Sequence, residues 1–245
     1  MLGSSFNHKK EFPVVLLRNH VVVMPDGNRR WSKEHNLDHL VSYDICMMRM
    51  YENVIKAFET GFRYYTIWLG STKKFYERPK DEVIKMLDVV NRCFVHRFPK
   101  QWNDKDHIFV NIVGEWEEVL NSRGIKHPLY QNPISPKLSR AILSVDGCVL
   151  TLLVSFDSPE PTRSFLRELV HPDTNISALP ILDLEIPGLP KADLWLRTGD
   201  LSPDIRVITN DKSCYLATPT LWPDMMSGHF EQCVQAARIP PTSRS

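Results

Sequence analysis

An unbroken apolar run, His20 to Met24, leads directly into Pro25-Asp26-Gly27 and then into the polar stretch Asn28-Arg29-Arg30-Trp31-Ser32-Lys33-Glu34. A short apolar run bounded by a turn signal reads as a buried strand. Taken alone, Pro-Asp-Gly is a tight turn, because Pro fixes φ, Asp bonds its own backbone and Gly accepts positive φ. The flanks say more: the segment after the turn has the character of a helix and not of a second strand. A hairpin is disfavoured, and the chain is committed early to a strand-turn-helix unit.

The same alternation continues. Tyr43 to Thr60 reads as a helix with Ile45, Met48, Glu52, Ile55 and Phe58 near one face, stopped at Gly61. Tyr64 to Leu69 reads as a strand, and Pro79 opens an amphipathic helix carrying Val83, Leu87, Val90 and Phe94. His107 to Val113 and Val149 to Phe156 are further apolar strands, with helices expected near Lys137 to Leu143 and over Thr162 to Val170. Pro172, Pro180, Pro187 and Pro190 mark His171 to Lys191 as a long connection. Asp193 to Arg197 is a short strand, and Phe230 to Arg238 a closing helix. Strands alternating with helices imply right-handed crossovers, hence an α/β fold with a central, mainly parallel sheet flanked by helices and ligands at the carboxyl ends of the strands.

Length and composition bound the rest. The chain's 245 residues suit a single domain with a sizeable core. We read residues 1–13 as a flexible N-terminal arm and 14–240 as one folded domain. A net charge of +1 gives no reason to expect nucleic acid as a partner. The five cysteines have no Cys-x-x-Cys spacing, so neither a disulfide framework nor a zinc knuckle is indicated, and reduced cytoplasmic thiols are the simplest reading. No stretch reaches the ~18 apolar residues of a transmembrane segment, and the N-terminus lacks the apolar core of a signal peptide. A cytoplasmic protein is expected.

The turn after the first strand carries the chemistry. It aims backbone N–H groups and the start of a helix at whatever sits over Gly27 and Asn28, which suits a diphosphate, and Arg29 and Arg30 add guanidinium donors. A carboxylate beside an anion site repels the ligand unless a cation lies between them. Asp26 therefore makes sense as a Mg2+ ligand, the metal bridging to phosphate oxygens and stabilising diphosphate as it leaves.

These residues bring a resemblance into view. His20-Val21-Val22-Val23-Met24-Pro25-Asp26-Gly27-Asn28-Arg29-Arg30-Trp31 resembles the signature of the cis-prenyltransferases, the undecaprenyl diphosphate synthase superfamily. Gly70-Ser71-Thr72, Arg78-Pro79 with Glu82-Val83, Val113-Gly114-Glu115, Asp193 to Gly199 and Leu221-Trp222-Pro223-Asp224 correspond further along. The resemblance implies the cis-prenyltransferase fold, an apolar tunnel and a homodimer. It implies an enzyme that takes an allylic prenyl diphosphate and a second small-molecule substrate, with Mg2+ as cofactor. Asp26 is then the catalytic and metal-binding residue. Gly27, Asn28, Arg29, Arg30, Trp31, Ser71, Arg78, Arg197 and Arg206 are the diphosphate-binding set, with the two last assigned to the acceptor.

The departures from the pattern cluster on the acceptor side. His39 stands where the family usually has Arg, and Tyr43 where it usually has His. Thr72-Lys73-Lys74-Phe75-Tyr76 replaces the usual Ser-Glu-Asn-Trp, with Lys73 and Lys74 reading either as a solvated loop or as added positive charge beside the phosphates. Arg206 is followed by Val207 and Ile208 and not by the expected Arg-x-Ser, and the second carboxylate expected on the metal falls near Cys214. Among relatives the pattern resembles the lavandulyl-type diphosphate synthases. The expected reaction joins an allylic unit to a second isoprenoid diphosphate, giving a short-chain or branched product, with an aromatic acceptor or a non-catalytic partner subunit as alternatives.

Overall fold

The computed structural model describes residues 19–93, 108–128, 148–156, 189–199 and 213–237. Arg206, the helices expected near Lys137 and Thr162, the N-terminal arm and the proline-rich connection up to residue 188 lie outside the described residues.

Six strands form one sheet: β1 (His20–Met24), β2 (Tyr64–Trp68), β3 (Ile108–Val113), β4 (Cys148–Leu153), β5 (Leu194–Thr198) and β6 (Cys214–Thr218), in the spatial order β3-β4-β2-β1-β5-β6. Every pairing is parallel. The helices are α1 (Asn28–Glu34), α2 (His39–Glu59), α3 (Thr72–Glu77), α4 (Lys80–Val90), α5 (Trp116–Ser122) and α6 (Ser227–Ala236), with a 3₁₀ turn at Trp222–Asp224. The expected parallel α/β sheet is present, and its elements follow from the sequence pattern. β1 is buried along its whole length, as a central parallel strand covered on both faces must be.

Successive side chains of β1 point to opposite faces. Val21 and Val23 enter the larger core with Leu150, Leu152, Leu194 and Leu196, whereas Val22 and Met24 join Trp68, Leu153 and Trp195 on the other face. His20, at the start of the strand, is fully buried. Its Nδ1 donates to the Pro190 carbonyl at 2.7 Å and its Nε2 accepts from the Thr66 hydroxyl at 2.8 Å. Because a carbonyl can only accept, this pairing fixes the neutral tautomer with the proton on Nδ1. Burial lowers the His20 pKa from 6.5 to about 4.

Two expectations need correction. The face of α2 carrying Ile45, Met48, Ile55 and Phe58 is only half-buried. The stripe packed into the core is Cys46, Met47, Met50, Val54 and Ala57, turned about one residue from the predicted one. Both stripes are apolar, so periodicity alone did not separate them. Lys73 and Lys74 lie on α3 and not in a loop: Ser71 caps that helix by accepting the Lys74 N–H at 3.3 Å, and Phe75 anchors it in the core. β6 and α5 were not anticipated at all. α6 starts three residues before the expected Phe230, and α2 four before Tyr43.

Candidate functional site

The chain leaves β1 toward β2 on one side, and leaves β5 toward β6 on the other. The crevice between the carboxyl ends of β1 and β5 is therefore the topological switch point, where open parallel sheets place their ligands. Pro25 to Asn28 and Thr198-Gly199 meet there.

The turn is held by its backbone. Thr198 Oγ1 accepts the Asp26 N–H and donates to the Asp26 carbonyl, each at 3.0 Å, and the same carbonyl accepts the Trp222 N–H at 3.0 Å. Gly27 takes φ +100, and a Cβ there would lie 2.6 Å from Leu221 Cδ2. Gly199, at φ +76, sits so close to the turn that its Cβ would lie 2.8 Å from both the Asp26 carbonyl and Arg30 Nη2. Both positions exclude larger residues through conformation as well as space.

Asp26 presents a half-exposed carboxylate. Oδ1 accepts the Gly27 N–H at 2.6 Å, and Oδ2 lies 3.4 Å from Arg197 Nη2. Arg197 is buried, in register with Met24 across β1 and β5, so the strand pairing itself brings its guanidinium beside Asp26.

A cavity of 510 Å3 opens over this turn. Asp26, Gly27, Asn28, Arg29 and Arg30 line it from the turn and α1, and Lys74, Glu77, Arg78 and Glu82 from α3, α4 and the turn between them. Its apolar wall is Met24, Met47, Met50, Trp68, Leu69 and Met86. Its size falls in the ~300–1,000 Å3 range of small-ligand sites.

Within it, Asn28 Oδ1 accepts from the Cys46 thiol at 2.9 Å. Burial pushes that thiol's pKa well up, so it stays protonated and can serve as the donor. Arg29 Nη2 and Arg78 Nε approach Glu82 Oε1 at 3.4 and 3.6 Å.

Of the residues singled out from sequence, Asp26, Gly27, Asn28, Arg29, Arg30 and Arg78 thus share one cavity, with Arg197 touching Asp26 from behind. Trp31 and Ser71 do not line it. Trp31 is buried, donates from Nε1 to Asp224 Oδ1 at 2.9 Å and stacks on His35. It ties α1 to the Trp222–Asp224 turn. Ser71 spends its oxygen on the α3 cap. Cys214 begins β6 in register with Leu194, which pairs with Val21, whereas Asp26 lies past the far end of β1. The thiol is a strand length from the carboxylate and takes no part in the turn.

Sequence reasoning named Thr198 and Glu82 only as parts of matching motifs and missed what they do. It read Cys46 only as one of five reduced thiols and passed over Met47, Met50 and Met86 altogether. Nothing in a one-dimensional pattern marks a threonine that clamps a turn 172 residues away.

An open, all-parallel α/β sheet with a cavity at its switch point, lined by both cationic and apolar side chains, is the class of protein these features define. Residues 24–238 match the family described as "Putative undecaprenyl diphosphate synthase". The chain belongs to that family, the cis-prenyltransferases, and is an enzyme of the prenyl-transferring class.

It is 24% identical over 228 residues to the isoprenyl transferase of Chromobacterium violaceum, covering 89% of this chain and 84% of that protein. It is 27% identical over 237 residues to the isoprenyl transferase of Chlamydia pneumoniae, covering 89% of each. In structure it is similar to lavandulyl diphosphate synthase from Lavandula x intermedia in complex with dimethylallyl diphosphate. The TM-score is 0.65 at 17% identity, over 92% of this chain and 97% of that one. That likeness establishes the shared fold.

Proposed function

We propose that this enzyme transfers a prenyl group from an allylic diphosphate, held over Asp26 to Arg30, to a second isoprenoid diphosphate, giving a short-chain or branched terpenoid diphosphate. The observation that carries this reading is the cavity's mixed lining: Arg29, Arg30, Lys74 and Arg78 share it with the apolar side chains of Met24, Met47, Met50, Trp68, Leu69 and Met86. An amphiphile with an anionic diphosphate head and a short hydrocarbon body matches both kinds of lining. The similarity to a lavandulyl diphosphate synthase bound to dimethylallyl diphosphate supports the same substrate class.

Mg2+ fits the residues present. Among the described residues no group of three or more His, Cys, Asp or Glu side chains could enclose a metal. Mg2+ commonly takes one or two carboxylates and completes its shell with water and substrate phosphate, which is what a lone, half-exposed Asp26 at the mouth of an anion site offers. Bound there, the ion would supply charge stabilisation to the departing diphosphate. The chain's own groups do the remainder. The Asn28 N–H and the Arg29, Arg30 and Arg78 side chains donate to the phosphate oxygens, the Gly27 N–H and Arg197 hold the Asp26 carboxylate in place, and the apolar lining keeps water from the reacting carbon.

The test is diphosphate release from dimethylallyl or geranyl diphosphate with Mg2+, and mass spectrometry of the products with and without isopentenyl diphosphate. Asp26→Asn keeps an acceptor for the Gly27 N–H but removes the charge, and is expected to abolish release. Undiminished release by Asp26→Asn, or by the wild-type enzyme in excess chelator, would overturn the proposal.

A further inference from the structure

One feature of the cavity is unexpected in a site that receives diphosphate: a buried carboxylate. The side chain of Glu82 is 7% exposed and lines the same space as Arg29 and Arg78. Its charge repels the ligand's, so its presence there needs a reason. The other carboxylates of the cavity are accounted for. Asp26 belongs to the turn, and Glu77, exposed at the rim, pairs with Lys73 at 3.6 Å.

The neighbours of Glu82 suggest that reason. The Tyr43 hydroxyl donates to Oε1 at 2.8 Å, and Tyr43 itself lines the cavity. On the other side, Oε2 lies 4.0 Å from His39 Nε2, and the His39 side chain is 46% exposed. The charged and titratable groups facing Glu82 are therefore Arg29 from α1, His39 and Tyr43 from α2, and Arg78 from the turn before α4. Asp38 is the further carboxylate beside His39, at 3.6 Å. Tyr43, Glu82 and His39 thus form a line from the cavity to solvent. Two of its three members are the residues that depart from the family pattern in the sequence.

We infer that Tyr43, Glu82 and His39 form a proton exit that removes the proton lost by the prenyl acceptor. The inference rests on the prenyl-transfer reading and adds to it the group that ends the reaction. The donor's C–O bond breaks with its electron pair leaving on the diphosphate, and the acceptor's π pair bonds to the allylic carbon. The cation so formed loses a proton from the adjacent carbon. The electron pair of that C–H bond becomes the new double bond, and the proton passes to the Tyr43 oxygen as the phenolic proton moves to Glu82 Oε1. Rotation of the Glu82 carboxyl then brings the proton beside His39, which exchanges with water.

A strong base is not required, because a proton beside a carbocation is extremely acidic. What is required is a placed oxygen with a path outward. The other groups lining the cavity serve less well: Lys74 and the arginines have no acceptor atom when protonated, and the Cys46 thiol already donates to Asn28.

Glu82 could instead serve only to orient Arg29 and Arg78, and the two roles separate in Tyr43→Phe, which removes one hydroxyl and leaves the arginine contacts. The probes are dimethylallyl diphosphate carrying deuterated methyl groups, used as both donor and acceptor, and isopentenyl diphosphate deuterated at the carbon that loses hydrogen. Diphosphate release and coupled product are measured side by side. Tyr43→Phe is expected to lower coupled product about 10-fold and Glu82→Gln about 100-fold, a span at or below the usual contribution of a placed acid or base. Donor ionisation should persist in both, the excess appearing as prenyl alcohol. A primary deuterium isotope effect on coupling should emerge in both variants, because proton loss becomes slow. His39→Asn, at an exposed position, should show the same effect in weaker form.

If Tyr43→Phe couples at the wild-type rate with an unchanged isotope effect, the relay is wrong while prenyl transfer stands. If the wild-type enzyme releases no diphosphate from either probe, the proposed function falls and the relay with it.

Discussion

The Thr198 hydroxyl holds both backbone polar groups of Asp26, accepting its N–H and donating to its carbonyl at 3.0 Å each. One side chain on β5 therefore sets the orientation of the residue on which the candidate site turns. The Asp26 N–H has a second acceptor, the Met24 carbonyl at 3.1 Å, and the carbonyl a second donor in Trp222. Thr198→Val keeps the shape and removes the clamp. We expect a stability loss of about 1–3 kcal/mol, the cost of leaving buried polar groups poorly paired. The KM for the allylic donor should rise more than kcat falls, because the turn loses its fixed position before its chemistry. Thr198→Ser should restore most of both. Chemical denaturation together with steady-state kinetics on the three proteins checks this.

Gly27 is constrained twice, by φ +100 and by Leu221 Cδ2 at 2.6 Å from a Cβ position. Gly27→Ala is therefore expected to cost about 1–2 kcal/mol from conformation alone, with the clash adding to it. Donor binding should weaken because the Asp26 carboxylate loses the Gly27 N–H that holds it. Leu221→Ala in the same chain relieves only the clash, so the double variant should recover part of the lost stability and not all of it. Full recovery in a melting experiment would show that the backbone conformation carries no strain.

The fold was legible where a local pattern and a global requirement coincide. β1 reads correctly because a strand buried on both faces has to be apolar throughout, and α1 because the turn before it cannot continue a strand. The candidate residues of the turn could be named together because they are contiguous, and Asp26 to Arg30 do line one cavity. The stripe of α2 that faces the core was misread because Ile45 and Phe58 are as apolar as Met47 and Val54, and only the position of the sheet decides between them. β6 gave too little signal: it is five residues at an edge, half-buried throughout. The links that assemble the site, Thr198 to Asp26, Tyr43 to Glu82 and Trp31 to Asp224, join distant segments. Each residue is ordinary by itself, and its role comes from a partner that the chain order does not place nearby.

His20 supplies a pH dependence that does not involve the site. Its pKa falls from 6.5 to about 4 through burial, only partly offset by the bond to the Pro190 carbonyl. As pH drops below 6.5 the unfolded chain takes up this proton while the folded protein refuses it until about pH 4, so stability declines across that window. Above 6.5 the contribution is fully present. The shift corresponds to about 3 kcal/mol. His20→Gln, which can still donate and accept, should lose less stability between pH 7 and 4 than the wild type. Urea denaturation at a series of pH values gives the comparison, and parallel curves for the two proteins would rule His20 out as the source.

Met47 and Met50 of α2 and Met86 of α4 line the cavity, so under the proposed function their size is expected to limit the length of the hydrocarbon chain. Met47, Met50 and Met86 are 2%, 1% and 3% exposed and line the cavity, so each is almost wholly packed by protein. Shortening one trades core packing for room. Met50→Ala is expected to cost about 2 kcal/mol, toward the low end for such a truncation because one side of the residue already faces a cavity. In exchange, with dimethylallyl and isopentenyl diphosphates supplied together, the products should shift toward longer chains. Met50→Leu conserves most of the volume and should leave the product distribution where it is. Chromatography with mass detection reads the chain lengths directly. An unchanged distribution in both Met50→Ala and Met47→Ala would mean that the growing chain leaves the cavity by a route that does not pass this wall.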